Sequence, residues 1–225
     1  MYTYEHPHPS VTTDCVIFGY NNPKLYILLI KRRNEPFAGK WALPGGYVDI
    51  KESCENAAVR ELQEETGLKI LDLKQLKTFS EVSRDPRERT ISVVFYGETR
   101  IKESETKAGD DATEAKWFHI YDLPELAFDH KKIIDYAIED FRKRSRLGPI
   151  GYNLMPEKFR FNELYKLYEA LLGTKLNRIL FKNKIDRMGH LLKVEENVNL
   201  RNPLLKFNEE LYEKLQNEGC YISLT

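Results

Sequence analysis

The stretch LPGGYVDIKESCENAAVRELQEETGL, residues 43–68, places a glycine pair directly before a segment with helical features. Ser53 is a suitable N-cap because its hydroxyl oxygen can accept a hydrogen bond from a backbone N–H of the first turn. Gly67 is a suitable stop because glycine readily adopts the left-handed conformation that ends many helices. The stretch therefore predicts a tight turn followed by a helix that ends at Thr66.

Three carboxylates fall on one face of this predicted helix. Glu61, Glu64 and Glu65 are spaced i, i+3 and i+4, a spacing that brings side chains together on a helix. Clustered carboxylate oxygens suit Mg²⁺ or Mn²⁺, ions that bind diphosphates and can activate water. A solvated acidic face is the alternative for E-x-x-E-E alone, because glutamate is a strong helix former.

The spacing of the whole stretch is more specific than its glutamates. From Gly46 to Leu68 it reads G-x5-E-x7-R-E-L-x-E-E-x-G-L, and this resembles the Nudix box at every defined position. The resemblance implies an α/β fold, an α/β/α sandwich with a mixed sheet, in which Glu52 and Arg60 support the loop and the helix. It also assigns metal-binding roles, and general-base roles if the domain is catalytically active, to Glu61, Glu64 and Glu65.

The length of the chain fits two domains or one elaborated domain, and a segment rich in glycine and proline favours two. The chain has 225 residues, more than the roughly 100 to 150 of a typical domain. The segment GPIGYNLMPEKF, residues 148–159, holds two glycines and two prolines, which favours a boundary there. We therefore predict a Nudix-like effector-sensing domain over residues 1–147 and a second domain over residues 148–225.

The second domain has the element order of a winged helix-turn-helix. Residues 161–173, FNELYKLYEALLG, carry an apolar stripe at helical spacing and end in glycine. A second helix is predicted almost at once, with Asn177 as its N-cap and Gly189 as its stop. Two short strand-like runs, HLLKVEE and PLLKF, and a final helix complete a winged helix-turn-helix.

A local basic excess makes DNA the expected partner of this domain. The net charge of the chain is zero, but residues 175–193 contain six basic residues and one acidic residue, Asp186. Basic and amide side chains suit phosphates and base edges, although a solvated basic face is the alternative. The predicted DNA-binding residues are Arg178, Lys182, Asn183, Lys184 and Arg201. A domain of this size contacts a half-site, so we expect a homodimer on a palindromic double-stranded operator.

A Nudix domain followed by a winged helix resembles a family of bacterial transcription regulators in which the hydrolase scaffold senses an effector. Within it the sequence resembles the arabinose-responsive branch, which implies a repressor of L-arabinose utilisation genes that the sugar releases from DNA. Another branch responds to ADP-ribose or related compounds of NAD metabolism. The effector-binding residues predicted by position are Lys40, Glu81 and Asp85. No cofactor is then required, although Mg²⁺ or Mn²⁺ is possible at the box.

Two other functions compete with a sensor. The intact box also fits a metal-dependent hydrolase of a nucleoside diphosphate derivative such as ADP-ribose, and winged helices also mediate protein contacts. Three cysteines without a C-x-x-C pair fit a reducing cytoplasm, and no apolar run approaches the roughly 18 residues of a membrane span. We therefore expect a cytoplasmic protein with no membrane partner.

Overall fold

The computed structural model describes residues 5–70, 72–101, 112–194 and 202–219. The chain forms two compact units. The first extends to Ala137 and omits residues 20–25, and the second consists of residues 20–25 and the chain from Ile138 onward. The domain boundary expected between residues 147 and 148 stays a prediction.

A seven-stranded sheet forms the centre of the first unit in the part that the structure describes. Its strands are β1 (Ser10–Asn21), β2 (Lys24–Arg32), β3 (Trp41–Ala42), β4 (Gly45–Tyr47), β5 (Lys74–Phe79), β6 (Thr90–Arg100) and β7 (Ala112–His119). Their order is β3-β2-β1-β6-β5, with β4 paired to β1 and β7 paired to β2. The pairs β1–β4, β2–β3, β2–β7 and β5–β6 are antiparallel, and Trp41 forms an isolated parallel bridge with Leu126.

The core of this unit lies between the sheet and the first helix, α1 (Cys54–Thr66). Ala58 and Leu62 of α1 pack against Ile17 of β1, Leu28 of β2 and Phe95 of β6. These side chains are almost completely buried, so they fix the helix on the sheet by the hydrophobic effect. A second helix, α2 (His130–Leu147), buries an apolar stripe of its own.

The ends predicted for α1 are confirmed. The Ser53 side chain accepts a hydrogen bond from the N–H of Asn56 at 3.3 Å. Gly67 has a φ of 74°, in the left-handed region, and its N–H donates to the carbonyl of Gln63. Because both ends are set by local sequence, the face that α1 turns toward the preceding loop is also set.

The second unit contains three further helices and a small sheet. Its helices are α3 (Phe161–Leu172), α4 (Arg178–Met188) and α5 (Glu209–Glu218). The strands β8 (Phe159–Arg160), β9 (Leu191–Lys193) and β10 (Leu204–Phe207) pair antiparallel in the order β8-β10-β9. The predicted helix, turn, helix and hairpin are therefore present, whereas β8 had no periodicity by which to predict it.

An aromatic cluster packs α4 against α3. Phe181 of α4 is buried, and its ring lies 4.9 Å from the ring of Tyr168, 5.6 Å from that of Tyr165 and 5.7 Å from that of Phe161. Ile185 follows one turn later and is also buried. Burial of this face leaves the opposite face of α4 turned to solvent.

His190 is a buried imidazole in the second unit. Its ring stacks near Phe207 at 6.1 Å, and neither ring nitrogen has a hydrogen-bond partner within the described residues. Burial lowers the pKa of His190 from its usual 6.5 to about 4. A neutral imidazole is thus preferred in the folded state, and protonation favours the unfolded state.

We expect the second unit to lose stability as the pH falls from about 6.5 to about 4. In this window the unfolded chain binds a proton at His190 that the folded chain does not, so the free energy of unfolding falls by up to about 3 kcal/mol. Hydrogen exchange of peptides from α3 and α4 at several pH values measures this. The variant His190→Leu should lose less stability over the same window, and an identical loss in both proteins would contradict the assignment.

None of the helices in the described residues is long and apolar enough to cross a lipid bilayer.

Candidate functional site

The glycine pair before α1 brings the backbone close to two of the predicted glutamates. The N–H of Gly45 donates to Oε2 of Glu65 at 2.8 Å. A Cβ on Gly46 would lie only 2.4 Å from Oε1 of Glu61, so a side chain there would displace that carboxylate. The close approach explains why glycine stands at this position.

Arg60 holds the loop before α1 to the helix. Its guanidinium donates to Glu52 at 2.6 and 3.1 Å, to Glu61 at 2.8 Å and to Glu64 at 3.1 Å. The hydrogen bond to Glu52 is the largest of the interactions that raise the pKa of Arg60. Glu52 in turn accepts from the N–H of Asp49 at 2.9 Å. These charge-assisted bonds give Glu52 and Arg60 the supporting roles that the resemblance implies.

The three box glutamates supply the right donor chemistry for Mg²⁺ or Mn²⁺, but the arrangement seen here does not form a three-carboxylate site. Glu61 and Glu65 border one cavity, whereas the Glu64 side chain is 59% exposed and pairs with Arg60. Within the described residues, no group of three or more His, Cys, Asp or Glu side chains is placed to hold a metal ion.

The cavity beside the box has a volume of about 330 Å³. Carboxylates and guanidinium groups border it together. Its charged lining residues are Asp14, Arg32, Arg33, Glu35, Asp49, Arg60, Glu61, Glu65, Arg84, Asp85 and Arg87, and Tyr47, Phe128 and His130 add rings. Such a lining suits a polar ligand that carries both anionic and hydroxyl groups.

Two arginines of the cavity lie against one aromatic ring. The guanidinium carbon of Arg32 is 4.8 Å from the ring centroid of Phe128, and that of Arg87 is 5.5 Å from it. Burial lowers the pKa of Arg32, and the nearby Arg87 cation lowers it further. An anion bound between the two guanidinium groups would relieve their mutual repulsion.

A buried ionic network forms the inner wall of the cavity. Arg84 donates to both carboxylate oxygens of Asp129, at 2.8 and 3.2 Å, and lies 3.5 Å from Oδ2 of Asp14. Nδ1 of His130 accepts from the N–H of Leu43 at 2.9 Å, and its Nε2 is 3.4 Å from Asp14. Burial lowers the pKa of His130, which favours the neutral ring that this hydrogen bond requires.

The predicted effector residues fall in different places. Asp85 borders the cavity, where burial would raise its pKa but hydrogen bonds from Arg87 lower it. Lys40 forms an ion pair with Glu125, and Glu81 is exposed; neither is among the described residues that border the cavity. The effector-binding roles of all three stay predictions.

Sequence reasoning missed Arg32, Arg84, Arg87 and Phe128. The available signal was the charged run SRDPRER, residues 83–89, between two strands. Charged runs in loops are usually solvated, so the run alone does not indicate a site. Phe128 has a φ of 51°, and no sequence pattern predicts that conformation.

The exposed face of α4 carries most of the predicted DNA-binding residues. Arg178 donates to Oδ1 of Asn162 at 2.9 Å, and Lys182 pairs with Asp186 at 2.5 Å. Asn183 is exposed and Lys184 is half-buried on the same helix. Arg201 lies outside the described residues. Their contacts with DNA stay predictions.

Family models match both units. A model described as NUDIX domain matches residues 8–137, and one described as NrtR DNA-binding winged helix domain matches residues 151–202. The first match covers more than half of the chain. The expected fold, a Nudix domain with a mixed sheet followed by a winged helix domain, is confirmed.

Two curated relatives represent the two functions under comparison. An ADP-ribose pyrophosphatase of Methanocaldococcus jannaschii is 50% identical over 130 residues, 57% of this chain and 73% of the relative. The ADPR responsive transcriptional repressor NtrR of Acinetobacter baylyi is 30% identical over 189 residues, 82% of this chain and 75% of the relative. The alignment with the repressor extends beyond the Nudix domain.

Solved structures resemble either the whole chain or its Nudix domain. Shewanella oneidensis NrtR complexed with a 27mer DNA superimposes with a TM-score of 0.77 at 27% identity, covering 90% of this chain and 95% of that one. The NUDIX domain of the same protein complexed with ADP ribose superimposes with a TM-score of 0.56 at 32% identity, covering 60% of this chain and 90% of that one.

The expectation of an L-arabinose-responsive repressor of carbohydrate genes is wrong. A relative that matches over 82% of the chain is an ADPR responsive repressor, and a similar NUDIX domain was crystallised with ADP ribose. The effector was predicted wrongly, whereas the combination of a Nudix domain with a winged helix domain was predicted correctly. The chain belongs to the Nudix family, and it joins a Nudix domain to the winged helix DNA-binding domain of the NrtR repressors, to which it is homologous.

Proposed function

We propose that this protein is an ADP-ribose-responsive transcriptional repressor that regulates genes of NAD metabolism. The observation that carries the proposal is the match to an ADPR responsive repressor over 82% of the chain, an alignment that is longer than the Nudix match over residues 8–137. A hydrolase without DNA-binding activity would not need the second unit. Double-stranded DNA is the partner, and a homodimer on a palindromic operator is the expected assembly.

The cavity beside the box suits ADP-ribose chemically. A diphosphate is a doubly charged anion, and the guanidinium carbons of Arg32 and Arg87 lie 4.8 and 5.5 Å from the ring centroid of Phe128. Arginine binds phosphate oxygens through paired N–H donors, so two arginines match a diphosphate well. Asp85 offers carboxylate acceptors for ribose hydroxyls, and Tyr47 offers an aromatic face.

Repression and release then follow from linkage between two binding equilibria. If ADP-ribose weakens DNA binding by some factor, DNA must weaken ADP-ribose binding by the same factor. Couplings of this kind are typically about 5- to 150-fold. The proposal needs only this thermodynamic coupling between the effector site and the DNA-binding unit.

We expect ADP-ribose to weaken operator binding by about 5- to 150-fold. The operator is first selected from a random duplex library, and its affinity is then measured by fluorescence polarisation with ADP-ribose, AMP, ribose 5-phosphate or L-arabinose. ADP-ribose alone should release the DNA at low concentration, because it alone offers the diphosphate with both of its substituents. Unchanged operator affinity at saturating ADP-ribose would contradict the proposal.

Two variants test whether ADP-ribose releases the operator DNA by binding in this cavity. Arg32→Gln and Arg87→Gln remove one guanidinium each, so they should bind the operator normally but require more ADP-ribose for release. Arg33→Gln is the control, because Arg33 borders the same cavity without the ring contact of its neighbour. Equal release in all four proteins would place the effector elsewhere.

Hydrolysis of ADP-ribose is the second candidate function. It is favoured by the 50% identity to an ADP-ribose pyrophosphatase and by the intact box. A metal-dependent role would require Glu61, Glu64 and Glu65 to rearrange around Mg²⁺ or Mn²⁺, ions that can neutralise a diphosphate and activate water. Formation of AMP and ribose 5-phosphate from ADP-ribose, dependent on Mg²⁺ or Mn²⁺ and lost in Glu65→Gln, would support an enzymatic role.

A further inference from the structure

The first turn of α4 exposes two branched apolar side chains next to each other. Ile179 is 73% exposed and Leu180 is 53% exposed, although both lie on a helix whose other face is packed. Such residues form a small apolar area within a basic surface. An apolar area bordered by charges on a folded protein often marks a contact site.

Ile179 is presented by a fixed part of the backbone. The Asn177 side chain accepts hydrogen bonds from the N–H groups of Ile179 and Leu180, both at 3.1 Å. On the opposite face, Phe181 and Ile185 are buried. The cap and this packing hold the first turn in place while Ile179 stays 73% exposed.

The residues around Ile179 indicate that the partner bound at this surface is a polyanion. Lys182 and Asn183 are three and four residues further along the helix, so they share its face, and Arg178 precedes it. A cationic surface of this kind attracts DNA phosphates. In the major groove the one projecting apolar group is the C5-methyl of thymine. In a helix-turn-helix, the N-terminal residues of the second helix contact base edges.

We propose that Ile179 recognises the C5-methyl group of a thymine in each operator half-site. The inference rests on the proposed DNA-binding function and deepens it, since it names the chemical group that the side chain contacts. Lys182 contributes affinity through the phosphate charge, which is independent of base sequence. Ile179 contributes preference at one base pair.

The test replaces single thymines of the selected operator by uracil, which removes the methyl group and leaves every hydrogen-bonding group unchanged. Loss of one buried methyl corresponds to about fourfold weaker binding per half-site. We expect one thymine position at which uracil weakens wild-type binding by this factor, and no effect of the same replacement in Ile179→Ala. This double-mutant cycle isolates the contact between the side chain and the methyl group.

Two control variants separate apolar recognition from charge. Leu192→Ala removes an exposed leucine on β9, and it should leave the uracil effect unchanged. Lys182→Ala should weaken binding to all sequences and lower the slope of log affinity against log salt by about one, whereas Ile179→Ala should leave that slope unchanged. Ile179 is exposed, so Ile179→Ala should keep its thermal midpoint.

The outcomes separate the inference from the function on which it rests. Specific, salt-dependent binding with no uracil effect, or with an effect that persists in Ile179→Ala, overturns the inference and leaves the repressor function in place. Absence of sequence-specific DNA binding by the wild-type protein overturns the repressor function itself, and the inference with it.

Discussion

Replacing Arg84 with methionine is expected to lower the free energy of unfolding of the first unit by about 3–5 kcal/mol. The Arg84 side chain is 4% exposed and bonds to Asp129 while lying close to Asp14. Methionine fills a similar volume, but it leaves two buried carboxylates without their counter-charge. The cost comes from these unpaired charges more than from the lost attraction.

Tryptophan fluorescence measures this effect selectively. The two tryptophans of the chain, Trp41 and Trp117, both lie in the first unit, so urea unfolding followed by their emission reports on that unit. Lys131→Met is the matched control, since its ion pair with Asp135 is more than half exposed and contributes at most about 0.5 kcal/mol. Equal destabilisation by both variants would contradict the buried-network argument.

Gly45→Ala is expected to destabilise the first unit by about 4 kcal/mol or more, enough to prevent folding in a marginally stable domain. A Cβ at this position would lie 2.1 Å from the carbonyl oxygen of Thr13, and the φ of 153° is one that residues with a side chain rarely adopt. Both obstacles are backbone, so no side chain can rotate away to relieve them. The Gly45 N–H that donates to Glu65 would move as well.

Gly39→Ala provides the control for conformation alone. Gly39 also has a positive φ, 79°, but a Cβ there meets no atom within 4 Å. Gly39→Ala should lower the free energy of unfolding by only about 1–2 kcal/mol, the usual penalty of the left-handed conformation. Comparison of the two urea midpoints therefore separates the clash from the strain, and similar values for both variants would show that the contact with Thr13 is tolerated.

The local features of the fold were predictable because local sequence determines them. Hydrogen bonds within one turn define the helix ends at Ser53, Gly67, Asn177 and Gly189. The apolar residues of α4 follow a period of 3.6 residues. Short strands such as β8 were not predictable, because two residues carry no period. Their pairing depends on contacts distant in the chain.

The candidate site was predictable only where one helix supplies it. The box glutamates share α1, but the cavity also draws on Arg32 at the end of β2, Arg84 and Arg87 in a loop, and Phe128 before α2. No spacing rule joins segments that meet only after folding. The effector was therefore assigned from family resemblance, and the arabinose assignment failed because the motifs that carry the resemblance do not determine which ligand the cavity binds.

The exposed face of α4 makes little contribution to the stability of the helix that carries it. Asn177 and Gly189 end the helix, and Phe181 and Ile185 anchor it, so the outward residues can change while the fold is retained. If the proposed thymine contact holds, mutations at position 179 are nearly neutral for folding and consequential for base preference. The operator preference of the proposed repressor can then evolve step by step without passing through unstable intermediates.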